Sequence, residues 1–173
     1  MSKPLHSPFH PRNKYFPENS VNGGYDVLIG DITEKTLFTS LSDRLGVQYL
    51  SPVDPTVPPT WPVNGIVFGP NKRVFVNLIL STNKHSLNVF FLVNNTSYSN
   101  YVSPTVLAAL EEDDYGRYHL HGDVIDLFPS PQSSHFADLN VLGRDYLGFY
   151  VDHQHKLVVD YPSQTCTLYK GDD

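Results

Sequence analysis

The chain has 173 residues, with 12 Lys and Arg against 18 Asp and Glu and a formal net charge of −6. That balance provides no basic patch for a phosphate backbone, so nucleic-acid binding is not expected. No apolar run approaches membrane-spanning length and the N-terminus has no apolar signal segment, so neither a membrane nor a secretory route is expected. A hydrophobic share of 40% supports one core with a small appended element. The one cysteine, Cys166, has no internal disulfide partner, which suits a reducing, intracellular and cytoplasmic setting.

Residues 1–24 are rich in Pro, Asn, Ser and Lys and end in Gly23-Gly24, a composition expected to form a flexible arm. Residues 25–62 are expected as a strand–helix extension and a Pro-rich linker. Tyr25-Asp26-Val27-Leu28-Ile29 reads as a short strand, and Asp31 as an N-cap with Glu34 completing a capping box. Leu37, Phe38, Leu41 and Leu45 recur on one helical face, which predicts an apolar stripe turned to the core, and Gly46 is the stop. Pro52, Pro55, Pro58, Pro59 and Pro62 then rule out helix and central strand and predict a strap across the surface.

From residue 63 to 173 the pattern is mainly β. Ile66-Val67-Phe68, Val74 to Leu80 and Leu87 to Val93 read as strands, separated by the turn residues Gly69-Pro70-Asn71-Lys72 and Ser81-Thr82-Asn83-Lys84. The third strand runs into a polar turn, Asn94-Asn95-Thr96-Ser97. Ser103 then caps a short helix with Pro104 in its first position and Val106, Leu107 and Leu110 on its apolar face. Glu111-Glu112-Asp113-Asp114 reads as a solvated loop. Phe149 to Asp152, Leu157 to Tyr161 and Thr167 to Tyr169 read as closing strands. His119 and His121, and likewise His153 and His155, sit at i, i+2 spacing. Each pair shares a strand face, but the two are expected to be solvated and far apart, so neither a metal nor another cofactor is expected.

The stretch Phe91-Leu92-Val93-Asn94-Asn95-Thr96-Ser97 followed by Val102-Ser103 resembles the active-site loop of retropepsin-like aspartic proteases, the retroviral and retrotransposon type. In that family a hydrophobic strand ends in Asp-Thr/Ser-Gly-Ala/Ser. Val141-Leu142-Gly143-Arg144-Asp145 is similar to the hydrophobic-hydrophobic-Gly motif that packs beneath that loop, and Tyr118 to Val124 to the flap hairpin. The resemblance implies an all-β acid-protease half-barrel with one or two short helices, preceded by the helical and Pro-rich extension. It also implies a homodimer with one catalytic loop from each subunit.

The centre of the loop departs from the family. Asn94 stands where the catalytic Asp belongs, Asn95 where Thr or Ser belongs, and Thr96 where Gly belongs. Two carboxylates sharing a proton are what aspartic proteolysis requires, and an amide neither ionises nor transfers a proton near neutral pH. The resemblance thus implies no catalytic residue, binding by Asn94, Asn95, Thr96, Ser97, His121 and Gly122, and structural roles for Gly143, Arg144 and Asp145. Tyr98 occupies the position of the acid that pairs with the Arg of the Gly-Arg-Asp motif, and Asp145 is placed to start a helix. Three functions are compatible with this pattern: a non-catalytic dimerisation or peptide-binding module, an active protease with an unfamiliar dyad or a partner chain supplying Asp, or a structural assembly role. The same residues also fit an ordinary hairpin with Asn-Asn at its turn.

Overall fold

The computed structural model describes residues 29–112, 116–149 and 155–171. The expected arm of residues 1–24, most of the strand from Tyr25, Asp113-Asp114, Tyr150 to Asp152 and His153 lie outside the described residues.

The first element is a helix, α1, running from Glu34–Thr36 through a wider turn at Leu37–Leu41 to Ser42–Leu45. Its N-cap is Thr33, in extended backbone, and the Thr36 hydroxyl accepts from the Thr33 N–H at 3.2 Å. The expected cap at Asp31 is therefore displaced by two residues. Asp31 is drawn elsewhere, accepting from Asn71 at 2.8 Å and Arg73 at 3.3 Å. Burial works against its charge, but these donors hold its carboxyl below the usual range. Gly46 ends the helix in the left-handed region, as the stop signal predicts. Leu37 and Leu41 are fully buried and join the core formed by the strands. Phe38 instead stands at the margin, edge-on to Tyr49.

Beyond α1 the Pro-rich segment is a strap laid along the sheet. The amides of Leu50 and Val53 donate to the carbonyls of Asn88 and Ser86, at 2.8 Å each. Among the described residues nine strands form: β1 (Val63–Phe68), β2 (Arg73–Ser81), β3 (Ser86–Val93), β4 (Tyr101–Val102), β5 (Gly116–Leu120), β6 (Asp123–Pro129), β7 (Asn140–Leu142), β8 (Lys156–Asp160) and β9 (Thr165–Tyr169). The helix α2 (Pro104–Ala109) lies between β4 and β5, capped by the Ser103 hydroxyl at 3.4 Å from the Val106 N–H.

The fold is mainly β, with few and short helices, as the pattern predicts. Strands β2, β3, β7, β4, β6 and β5 close a six-membered ring, because β2 pairs with both β3 and β5; β1, β9 and β8 extend from β2. Closure suits the residues. β3 buries Val89, Phe90, Phe91 and Leu92, and β2 buries Phe75, Val76, Leu78 and Leu80. Side chains on both faces of each strand thus find apolar neighbours, at roughly 1.5–3 kcal/mol for each large one buried. Phe149 belongs to a short helical turn, Asp145–Phe149, rather than to a closing strand.

One buried amide ties the layers together. Asn140, 1% exposed, donates from Nδ2 to Tyr49 Oη at 2.7 Å and to the Phe90 carbonyl at 3.0 Å, and its Oδ1 accepts from the Ser103 N–H at 2.8 Å. Burial pushes the Tyr49 phenol up to about 12, so it remains neutral and hydrogen-bonded at any ordinary pH. Asn140→Ala strands the Ser103 amide and the Phe90 carbonyl together, at about 1–3 kcal/mol for each group left unsatisfied. Urea denaturation should show the midpoint lowered with an unchanged slope.

Candidate functional site

Strand β3 delivers the chain to Asn94, and β7 runs parallel beside it, with Leu92 opposite Val141 and Val93 opposite Leu142. The Asn94 N–H donates to the Leu142 carbonyl at 2.9 Å. Here the chain turns without a positive φ; outside glycine, that conformation falls on Leu50, Lys72, Glu111, His121 and Gln164 among the described residues. The turn is made by the Asn94 side chain, whose Oδ1 accepts from the Thr96 N–H at 3.0 Å and from Thr96 Oγ1 at 2.7 Å. A main-chain N–H only donates, so the amide atom facing it is the oxygen. That leaves Nδ2 of Asn94 as a buried donor with no acceptor among the described residues.

The ordinary hairpin reading does not hold. β3 pairs with β2 and β7, whereas β4 pairs with β6 and β7, so the turn at Asn94 does not join two neighbouring strands. The segment Ser97 to Asn100, just past the turn, is instead stitched to residues 143–145. The carbonyls of Ser97 and Tyr98 accept from the N–H groups of Arg144 (2.9 Å) and Asp145 (3.0 Å). The Gly143 N–H donates to Asn100 Oδ1 at 2.9 Å, and Asn100 Nδ2 donates to Asp145 at 3.2 Å. A Cβ on Gly143 would fall 2.3 Å from the Ser99 carbonyl oxygen and 2.8 Å from that of Tyr98. Only glycine allows this approach. Asp145 stands in the first turn of the helical segment 145–149, where its charge is favourable.

The loop opens onto a cleft of about 370 Å³. Asn94, Asn95 and Thr96 form one wall and Lys72, Arg73 and Val74 another, with Leu147 from the helical turn and Leu157, Val159 and Tyr161 from β8 and its turn closing it. No Asp or Glu is among its described lining residues. Ser97 lies just outside, its hydroxyl donating to the Ser99 carbonyl at 2.9 Å.

His121 and Gly122 do not share this cleft. They form the turn of the β5–β6 hairpin, and the turn is seated on the Pro-rich strap. His121 is 7% exposed and lines a separate cleft of about 420 Å³, whose lining also includes Leu45, Val57, Asn77 and Asn88. A Cβ on Gly122 would lie 3.5 Å from Pro59. The expectation of solvated, distant histidines is corrected for His121 and His155, whereas His119 is exposed as expected and His153 lies outside the described residues. His121 and His155 both meet Trp61 edge-on, at 4.8 and 5.0 Å between ring centroids, and His155 Nε2 lies 3.2 Å from Asp123. The apolar edge of Trp61 and the acid on β6 draw both rings inward. No group of three or more His, Cys, Asp or Glu able to hold a metal ion occurs among the described residues.

His121 carries a pH signature. Its Nδ1 accepts from the Ile79 N–H at 3.3 Å and its Nε2 faces the Thr60 carbonyl at 3.0 Å, the pattern of a neutral ring protonated on Nε2. Burial lowers its pKa, against smaller opposing effects of Thr60 and Asp123. Above the unfolded value of about 6.5 the ring is neutral in both states and has no effect. As pH falls below that value the unfolded chain binds a proton that the folded chain resists, so stability falls. Stability measured between about pH 7.5 and 5 should therefore decline, and His121→Asn should flatten part of the decline. Asn accepts the positive φ of 50° and supplies an acceptor for Ile79.

Asn100, Asn140 and Trp61 were not singled out by the sequence. A buried amide leaves no periodic trace, and the only signal for Asn100 is its place between the polar turn and the strand Tyr101-Val102. No family model matches the chain, and no curated protein matches it. Among solved structures it is similar to a retropepsin-like aspartic protease from Rickettsia conorii, at 12% identity and a TM-score of 0.43, over 65% of this chain and 98% of that one. No helix among the described residues is long and apolar enough to cross a membrane.

Proposed function

We propose that the chain is a catalytically inactive, retropepsin-like module that binds an extended peptide or protein segment in the cleft beside Asn94 and acts as a homodimer. The observation that carries this reading is the state of Asn94. Its oxygen is held by Thr96 and its Nδ2 has no acceptor among the described residues, so an amide donor stands where an aspartic protease would exchange a proton. A main-chain carbonyl is the acceptor an extended peptide offers, and the apolar wall of Leu147, Leu157 and Val159 takes a side chain beside it. The stitching of Gly143 and Arg144 beneath the loop supports the retropepsin-like assignment, because the resemblance places that motif there. The single buried thiol suits the cytoplasm.

The test is retention of peptides from a random library on the immobilised protein, followed by mass spectrometry of what is eluted. The reading expects a retained set sharing an apolar position, recovered at full length, and retained about tenfold less by Asn94→Leu, since one hydrogen bond to a buried donor is worth about 1 kcal/mol or more. Retention unaffected by Asn94→Leu would move the binding elsewhere.

A further inference from the structure

We infer that the segment bound in the Asn94 cleft carries an acidic side chain, Asp or Glu, and that the ammonium of Lys72 selects it. The inference rests on the binding function proposed above and names the class of segment the cleft takes. Pairing of β2 with β3 brings the turn before β2 beside the loop after β3, so Lys72 and Asn94 line one cleft. Its described lining includes two cations, Lys72 and Arg73, and no acid. The two cations are not equivalent. Arg73 lies 3.3 Å from Asp31, so its charge is matched within the fold. No Asp or Glu among the described residues lies within ion-pair distance of Lys72. Lys72 also holds a φ of 53°, a conformation that glycine or asparagine adopts at less cost. Asn71 stands one place too early to relieve it, and its side chain is spent on Asp31 at 2.8 Å. A long cation is thus kept, against backbone preference, at the mouth of the cleft.

The formal net charge of −6 opposes an acidic ligand at long range, but that opposition is weak. At physiological salt, charges more than about 8 Å apart are largely screened, so the cation beside the ligand decides. The carboxylate belongs to a side chain rather than to a chain end. Capture of a terminal carboxylate uses a cluster of main-chain N–H groups, and those of this cleft are engaged. The Asn94 N–H donates to Leu142, that of Thr96 to Asn94 Oδ1, and that of Lys72 to the Gly69 carbonyl. The side-chain cation is what remains. An extended chain advances about 3.3 Å per residue, so the acid should lie within about two or three positions of the apolar residue that meets Leu147, Leu157 and Val159.

The acid content of the peptides retained from the random library by the immobilised full chain gives the first test, and the expected set carries Asp or Glu at that spacing. Retained sequences are then synthesised as pairs, each with the acid or with Asn or Gln in its place, and titrated by fluorescence anisotropy. The acidic member should bind about fivefold more tightly at about 0.15 M salt, and its advantage should shrink at about 1 M. In Lys72→Gly the advantage should vanish, and in Lys72→Glu it should reverse. Lys72→Gly relieves the positive φ, so a lost preference does not report a damaged fold. A retained set without acids, or an advantage unchanged in Lys72→Gly, overturns the inference and leaves the binding function standing. An advantage abolished by amidating the peptide C-terminus assigns Lys72 to a terminal carboxylate and overturns the side-chain reading. A library from which nothing is retained overturns both the inference and the function beneath it.

Discussion

Replacing Gly143 by alanine is expected to lower the thermal midpoint by about 10 °C, the equivalent of about 3 kcal/mol in a chain of this size. The added carbon would lie 2.3 Å from the Ser99 carbonyl oxygen, and that carbonyl cannot move freely. Its neighbours Ser97 and Tyr98 accept from Arg144 and Asp145, and Asn100 grips the Gly143 amide itself. The strain must therefore spread through the whole loop that carries Asn94. Gly30→Ala is the control: no atom of the described residues lies within 4 Å of its added carbon, and its backbone requires no positive φ, so the midpoint should hardly shift. Differential scanning calorimetry of the two variants separates close approach from the general effect of removing a glycine.

The second large effect concerns catalysis. Asn94→Asp alone is expected to leave the chain inactive, even though it restores a carboxylate. The same Thr96 amide and hydroxyl that now hold Asn94 Oδ1 would hold a carboxylate oxygen and keep it ionised. A dyad needs one of its two acids protonated. Asn94→Asp, Asn95→Thr and Thr96→Gly together remove the competing hydroxyl and return the small residue, and this triple variant should cleave peptides between about pH 3 and 7 with pepstatin sensitivity. Its advantage over the single variant should reach about a hundredfold or more, the usual worth of a working acid–base pair. The comparison is best made at matched, high concentration, since in the proposed homodimer each copy provides one loop.

The strands β1 to β3, β8 and β9 and the helix α2 were legible because their signals are local. Apolar runs of three to seven residues between Gly, Pro and Asn clusters predict β1 to β3, and Ser103-Pro104 predicts the start of α2 without reference to the rest of the chain. At α1 the local signal misled by two residues. Asp31 is as good a cap as Thr33, and only the fold brings Asn71 and Arg73 to it across 40 residues of sequence. The cleft was half legible. Asn94, Asn95 and Thr96 do line it, but Lys72, Arg73, Leu147 and the β8 side chains arrive from elements whose pairing no local pattern specifies. His121 was misplaced for the same reason: its hairpin was legible, while the strap and Trp61 that bury its turn come from some 60 residues earlier.

A cleft that binds without cutting is the property on which the proposed function stands or falls. Its most direct measurement is incubation of the unsubstituted protein, at a concentration that would favour the proposed homodimer, with a mixed peptide library from about pH 3 to 7 with and without pepstatin, scored for new termini by mass spectrometry. An inactive module yields no new termini at any pH. Cleavage that pepstatin abolishes would contradict the proposed function, and would require a carboxylate pair that the described lining of the Asn94 cleft does not contain.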